Sequence, residues 1–572
     1  MTRRRGAWLR GVVLALVLAG LVLPILIGAG LMTCAAFGVM PALGAGGATL
    51  DPWRTLFAAP GVAAAIALTV WTGLAATLLS LALAVLLVAG LHSRLPARVW
   101  AAALAPLLAA PHAAVAIGLA FLIAPSGWIA RGLSRWATGW HVPPAIVTVN
   151  DPFGFAMIGG LALKEVPFLA LILLAALGRI PLRQTLAAGR SMGYLPSRLW
   201  PTLVLPQVWP LIRLPVYAVL SFSLSVVDVA LILGPATPPP LAVQMTRWFL
   251  SPETGAILPA SAAALLQAAL VIAGIGLLRA GEIAAGRLLR RSVRRGGRGS
   301  PFLGAMMRGG AVSTGAVLAG IGFLSLAALA VWSFAWRWQF PDALPERWSL
   351  RAWATAGPGL RDATLTTLLI GLAATALSLA LAIAWLEGED RGRLKRAQPA
   401  EALVYLPLVL PQVAFLPGLY MVFLGLGVPT GVGAVIWAQM LFVFPYVLLA
   451  LTDPWRALDQ RLLNAAAALG AGPSRRLFSV KLPLLAVPVV TAAAIGFAVS
   501  VAQYLPTLFL GAGRVATLTT EAVALSSGSD RRVAGAYGLL VAMLPLVGYA
   551  LALLVPAALY RNRRGMLHGP TG

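Results

Sequence analysis

Long apolar runs separated by short arginine-bearing stretches repeat along the whole chain. Twelve of them approach or exceed the ~20 residues that a helix needs to cross a ~30 Å hydrocarbon core. They cover 11–32, 62–90, 101–124, 154–177, 210–233 and 257–278, then 311–334, 363–386, 402–425, 430–451, 484–508 and 534–558. Helices are the expected form, because lipid cannot satisfy free backbone groups. The predicted fold class is an all-α polytopic membrane protein of about twelve transmembrane helices. The first run, after MTRRR, extends from about Val12 to Met32. That is longer than the roughly 7–15-residue core of a signal peptide, so it reads as an uncleaved span with a cytoplasmic N-terminus.

The apolar sentence is written twice. GLAATLLSLALA begins at Gly73 and GLAATALSLALA at Gly371, differing only at Leu78 against Ala376. PLLAAPHAAVAIG (Pro106–Gly118) is echoed by PLVLPQVAFLPG (Pro407–Gly418), which sets His112 against Gln412 at a shift of 300. GYLPSRLWPTLVLP (Gly193–Pro206) is echoed by GAGPSRRLFSVKLP (Gly470–Pro483) at a shift of 277. Three echoes in one order predict a tandem repeat of a six-span unit: 1–278, a basic linker 279–310, and 311–572. Six is even, so both copies enter the membrane the same way, with a pathway expected between them.

Charge fixes the orientation. With the N-terminus inside, the cytoplasmic segments are 1–10, 91–98, 179–198, 279–310, 387–400, 456–481 and 559–572, and they hold 30 of the 43 basic residues. The opposite orientation would put those 30 outside, against the positive-inside rule. Both termini are thus expected in the cytoplasm of a bacterial inner (plasma) membrane protein. The net charge of +26 is distributed between apolar runs and not on a folded basic face, which argues against nucleic acid. RLLRRSVRRGGRGS, from Arg287, reads as a flexible positive-inside linker, with anionic lipid as its functional alternative.

Composition narrows the chemistry. Hydrophobic residues make up 60% of the 572 and charged ones 10%, against roughly 25% charged in soluble domains. One cysteine, Cys34, rules out an intrachain disulfide framework. The four histidines are scattered, so no metal site and no cofactor is implied. No residue pattern reads as catalytic, and no G-x-x-x-x-G-K-[ST] phosphate loop occurs.

The third echo is the most informative. In both copies an alanine-rich piece (Leu186–Ala188; Ala465–Leu469) favours a short helix. Gly193 and Gly470 can end it with positive φ. Pro196 and Pro473 suit the first turn of a second helix. Leu205-Pro206 and Leu482-Pro483 are expected to break the chain before it re-enters the membrane. The result is a surface helix–turn–helix twice per molecule, a docking surface for a two-fold partner.

These loops resemble the EAA loop of permease subunits of binding-protein-dependent ATP-binding-cassette importers. The first copy matches at Ala187-Ala188-Gly189, Gly193, Leu203 and Leu205-Pro206; the second matches at Asn464-Ala465-Ala466, Gly470, Val480 and Leu482-Pro483. The leading Glu of the family pattern is Ala187 in one copy and Asn464 in the other, so a salt bridge from that position is not expected. Fused permeases of this size resemble those serving thiamine or ferric iron, and TLTTEAVALSSG (Thr517–Gly528) is similar to a Ynj-type fused permease. The resemblance implies coupling through Ala187, Ala188, Gly193, Pro196, Ser197, Arg198, Leu205 and Pro206, and through Asn464, Ala465, Ala466, Gly470, Pro473, Ser474, Arg475, Leu482 and Pro483. It implies two copies of a separate cytoplasmic ATP-binding subunit as partners. It also implies a periplasmic substrate-binding protein and a small-molecule or ion substrate. Material for that periplasmic contact lies in Pro125–Pro152, Gly234–Pro252, Arg337–Arg361 and Gly511–Arg532.

A rival reading comes from GEDRGRLKR, Gly388–Arg396, placed where six-plus-six-span secondary transporters carry D-R-x-G-R-[RK]. Here the spacing is one residue short and the matching first-half loop, HSRLPAR, has no trace of it, so the segment reads as a solvated loop. Polar residues inside spans are the candidate pathway: Lys164, Glu165, Asp228, Gln503, His112 and Gln412. Lys164 and Glu165 are adjacent, about 100° apart on a helix, so each needs a partner elsewhere. Structural bonding between helices is the competing role.

Overall fold

The apolar runs fold as helices whose ends and breaks follow from prolines and from where free carbonyls find donors. The computed structural model describes residues 2–92, 94–392, 398–528 and 530–559. Arg393–Arg396 of the basic loop and 560–572 of the C-terminal segment lie outside the described residues. In the first half the helices that matter here are α1 (Trp8–Ala36), α2 (Val62–Leu91), α3 (Ala97–Ala109), α4 (His112–Ile123), α5 (Phe155–Leu177), α6 (Leu182–Ser191), α7 (Pro196–Ser225), α8 (Asp228–Leu233) and α9 (Ile257–Arg294). The second half has α10 (Pro301–Phe334), α11 (Arg351–Gly392), α12 (Leu416–Gly425), α13 (Val432–Arg456), α14 (Gln460–Ala468), α15 (Pro473–Leu484), α16 (Ala486–Ala502), α17 (Leu505–Gly511) and α18 (Arg531–Leu559). Strand is confined, among the described residues, to a small antiparallel pair, Ala335–Arg337 with Arg347–Trp348.

Among the described residues, ten helices are long and apolar enough to cross a membrane, or eleven if the bent pair α15 and α16 is one span. That is fewer than twelve, and the ninth run explains why. Pro411 and Pro417 each remove a backbone donor and clash with the preceding turn, so 402–425 is split into short pieces ending in α12. Its counterpart, 101–124, breaks only at Pro111, between α3 and α4.

The two copies of the apolar sentence occupy matching places. A Cβ on Gly73 would meet the Leu224 side chain of α7 at 2.5 Å, and one on Gly371 would meet the Phe497 ring of α16 at 2.9 Å. Each glycine therefore lets the second span of its half lie close against the fifth. The third spans cross between halves: Gly118 of α4 abuts the backbone of Ser325 on α10, and Gly418 of α12 abuts that of Gly28 on α1. So α1 packs against α11 and α12, while α10 packs against α2 and α4. A further pair shares the 277 shift. Leu241 N at the start of one short helix donates to Thr69 Oγ1 at 2.8 Å, and Leu518 N donates to Thr367 Oγ1 at 2.9 Å. Each threonine on a second span thereby satisfies an orphan donor of a short helix that could not cross the bilayer alone.

Candidate functional site

Four breaks interrupt the third and fifth spans of both halves, and the candidate pathway residues collect there. Pro111 and Pro411 hold extended backbone, with ψ of 151° and 130°. In the fifth spans, Val226 and Val227 separate α7 from α8, and Gln503 and Tyr504 separate α16 from α17. Val226 and Gln503 share one conformation (φ −65°, ψ 134° and φ −72°, ψ 117°), as do Val227 and Tyr504. Gln503 is thus the counterpart of Val226; Asp228 matches Leu505, the first residue of α17.

Each break frees carbonyls in an apolar interior, and polar side chains take them up. Lys164 Nζ donates to Leu107 O, Leu108 O and Ala110 O at 2.8, 3.0 and 2.5 Å. A cation with three donors is well matched to the C-terminal end of α3. Gln267 Nε2 donates to Leu224 O at 3.0 Å, and Thr519 Oγ1 to Val501 O at 2.5 Å. Ser221 Oγ donates to Val409 O at 2.5 Å, which ties α7 to the broken third span of the other half. Lys164 therefore acts as a cap and is 4% exposed.

Glu165, on the same turn as Lys164, faces a different neighbour. His112 Nε2 lies 3.1 Å from Glu165 Oε1, and the His112 ring sits 4.6 Å from the Phe222 ring. Asp228 is within electrostatic reach of both His112 and Tyr504, and Tyr446 of α13 is within reach of Glu165. The structure thus pairs His112 with Glu165 and sets these residues and Asp228 of one half within electrostatic reach of Tyr446 and Tyr504 of the other. The imidazole is partly open, with its side chain 28% exposed, while Glu165 is enclosed. Gln412 is half-buried at its own break, and Gln503 is buried. A buried set that sequence reasoning missed lies beside it: Gln439 Nε2 donates to Thr507 Oγ1 at 3.1 Å, and Ser500 Oγ donates to Gln439 Oε1. The lone Gln439 in an apolar run was the available signal. No group of residues suited to a metal ion occurs among the described residues.

On the face carrying the basic loops, both copies of the G-x-x-P-S-R stretch form the same turn. Gly193 has φ +80° and Gly470 φ +82°. Gly193 N donates to Arg190 O and Tyr194 N to Gly189 O; Gly470 N donates to Ala467 O and Ala471 N to Ala466 O. This pattern satisfies the last carbonyls of α6 and α14 and requires the left-handed glycine. Just before each glycine an apolar side chain stands in the open, Met192 at 58% and Leu469 at 89% exposed. Ala187, Ala188, Asn464 and Ala465 are exposed as well, and Ala466 is half-buried.

After the turn the copies diverge from expectation and from each other. Pro206 does not break the chain. The helix runs from Pro196 through a wide turn, Trp200–Val204, into the membrane as α7. One looser turn of this kind absorbs a missing donor without ending the helix. Leu482-Pro483 is likewise carried inside α15, and the chain bends by 78° at Leu485, where Pro488 would clash with the Leu484 carbonyl.

The second loop is tied to the spans by buried charge. Lys481 Nζ lies 2.6 Å from Glu387 Oε2 and 2.5 Å from Asp390 Oδ2, and 5.0 Å from the centre of the Trp455 ring. Trp455 Nε1 donates to Asp390 Oδ2 at 3.0 Å, and Arg456 pairs with Glu389 at 3.0 Å and Glu401 at 3.3 Å. The GEDR stretch is therefore not a solvated loop: α11 continues through it, and Glu389 and Asp390 face α13 and the second loop. The first loop has Val204 where the second has Lys481, and it is held instead by the linker between the halves.

Comparison with known proteins agrees with this architecture. Residues 392–564 match the family described as binding-protein-dependent transport system inner membrane component. The chain is 33% identical over 527 residues to the inner membrane ABC transporter permease protein YnjC of Escherichia coli (strain K12), covering 91% of this chain and 93% of that one. It is 34% identical over 167 residues, 27% of this chain, to the molybdenum transport system permease protein ModB of Azotobacter vinelandii, covering 70% of that protein. It is 28% identical over 138 residues, 24% of this chain, to the spermidine/putrescine transport system permease protein PotC of Haemophilus influenzae, covering 49% of that protein. A helical chain of broken apolar spans, aligned almost end to end with such a relative, is a multi-pass inner membrane protein, and it belongs to the permeases of binding-protein-dependent ABC importers.

Proposed function

We propose that the chain forms the whole substrate pathway of its importer as two fused permease units, 1–278 and 311–572, with both termini in the cytoplasm. The observation that carries this reading is the pair of matched left-handed glycine turns, Gly193 and Gly470, each followed by a proline-started helix that leads into a fifth span. Two such turns fit two copies of a separate ATP-binding subunit, one under each loop. Hydrolysis belongs to those subunits, in keeping with the missing phosphate loop. Substrate crosses between the halves at the helix breaks, where His112, Glu165 and Asp228 meet Tyr446 and Tyr504. Broken helices in protein-lined cavities are where irregular backbone is tolerated at membrane depth. A periplasmic binding protein delivers a small molecule or ion to the opposite face, over Pro125–Pro152, Gly234–Pro252, Arg337–Arg361 and Gly511–Arg532.

ATP hydrolysis is the direct test. The purified chain alone should release no phosphate from ATP, and the complex with its co-purified ATP-binding subunits should. Hydrolysis by this polypeptide without partners would refute the proposal.

A further inference from the structure

The basic linker is bound to the first coupling loop at every turn of that loop's start. Leu195 N donates to Arg298 O at 2.9 Å. Ser197 Oγ donates to Ser300 O at 3.0 Å, and Ser300 N donates back to Ser197 Oγ at 3.3 Å. Arg198 reaches Ser292 Oγ at 2.7 Å and Ser292 O at 2.5 Å. Gly299, at φ +92°, passes so close that a Cβ would lie 2.9 Å from Ser197 Oγ and 3.1 Å from Arg198 Cβ. Among the described residues the second loop carries no such cover: Ser474 and Arg475 are exposed, whereas Ser197 and Arg198 are half-buried.

The linker's own outward face is also unusual for a mere tether. The helix α9 leaves the apolar run near Arg279 and Glu282, which pair with each other and with Tyr217. It then continues without a sharp bend to Arg294. Twelve further residues place Arg294 about 18 Å past Glu282. That is roughly two screening lengths at physiological salt, so attraction to lipid headgroups at that depth is largely screened. Arg294, Arg295 and Arg298 are exposed there, and Arg287, Arg290 and Arg291 are exposed on the turns before it. Exposed apolar side chains stand among them, Leu288 and Val293 on α9 and Phe302 and Met306 at the start of α10. Arginine mixed with large apolar groups outside the bilayer is the composition of a protein contact.

We propose that residues 287–306 extend the docking surface of the first coupling loop and receive an acidic face of the ATP-binding subunit docked there. This rests on the importer reading above. The two docking sites are then unequal: the first is a loop plus an arginine-rich linker, and the second is a loop anchored through Lys481.

The test reverses charge at Arg290, Arg291, Arg294 and Arg295 to Glu, none of which bonds to the loop. The full chain is co-expressed with the ATP-binding subunit of its transport system, and the subunit-to-permease ratio is measured after mild detergent extraction. The expected result is a ratio of two for wild type and about one for the variant, with the remaining copy on the second loop. A ratio of two in the variant at physiological salt would overturn the linker's role while leaving the importer reading intact. No subunit on wild type would instead defeat the importer reading. Should the Glu variant fail to reach the membrane, the corresponding Gln variant is used, with a ratio that falls below two as salt is raised; a salt-independent ratio of two would overturn the proposal. Binding of the wild-type linker to anionic vesicles with an unchanged subunit ratio in either variant would assign the arginines to lipid, and also overturns it.

Discussion

Lys164 and Lys481 show how differently two lysines in apolar surroundings can act. Lys164 satisfies three carbonyls released by Pro111. Lys164→Met leaves them unpaired at a cost of about 1–3 kcal/mol for each buried group. We expect Lys164→Met to lose membrane-inserted protein, whereas Glu165→Gln keeps the wild-type level in the membrane and lowers uptake. Immunoblots of membranes beside uptake rates check this, and normal insertion of Lys164→Met would contradict the capping role. Lys481 is 5% exposed and holds Glu387 and Asp390. Its removal takes a cation from Glu387, which keeps Arg391 at 2.7 Å, and from the half-buried Asp390, which keeps the Trp455 donor, so the loss falls below the ~3–5 kcal/mol of a fully buried broken pair. Lys481→Met should lower the Tm of the purified permease, and adding Glu387→Gln and Asp390→Asn should restore most of it. Equal melting of Lys481→Met and wild type would refute the network. The polar positions themselves were legible in the sequence. Their partners were not, because Lys164 bonds to backbone, which has no letter of its own. The carboxylates near Asp390 sat among arginines and read as solvated.

Helix ends and breaks divide along the same line. Gly193 and Gly470 were legible as turn glycines, since an alanine-rich stretch followed by G-x-x-P-S permits little else. The breaks at Pro111 and Pro411 were marked by proline. The break at Val226-Val227 was not, because no proline or glycine lies there; it depends on Gln267 reaching across from α9 to the freed carbonyl. Nor was the smooth passage through Pro206, which rests on one wide turn. For the glycines, space is not the obstacle. A Cβ on Gly470 meets nothing within 4 Å, and one on Gly193 only Arg298 at 3.8 Å. The cost is the left-handed backbone alone, about 1–2 kcal/mol. Gly193→Val and Gly470→Val should therefore leave insertion unchanged and weaken both capture of the ATP-binding subunit and uptake. We expect the larger loss at Gly193, whose turn also carries the linker. Pull-downs from detergent extracts measure this, and wild-type capture by both variants would mean the turns are not docking elements.

At the scale of the whole molecule, duplication sets the plan and the exceptions set the mechanism. Matched contacts at Gly73 and Gly371, and at Thr69 and Thr367, keep the two halves alike, while each first span packs against the other half. The polar cluster breaks that symmetry, with acids and histidine from one half and tyrosines from the other. In the proposed cycle, an asymmetric site between two similar halves is opened to either side by rocking them, with force from ATP-binding subunits docked on the two loops. The most direct test is uptake in proteoliposomes holding the permease with its ATP-binding subunits and its binding protein. Substrate should accumulate only with ATP inside the compartment that the coupling loops face, and not with a proton or sodium gradient in its place. Accumulation driven by an ion gradient without ATP would contradict the account.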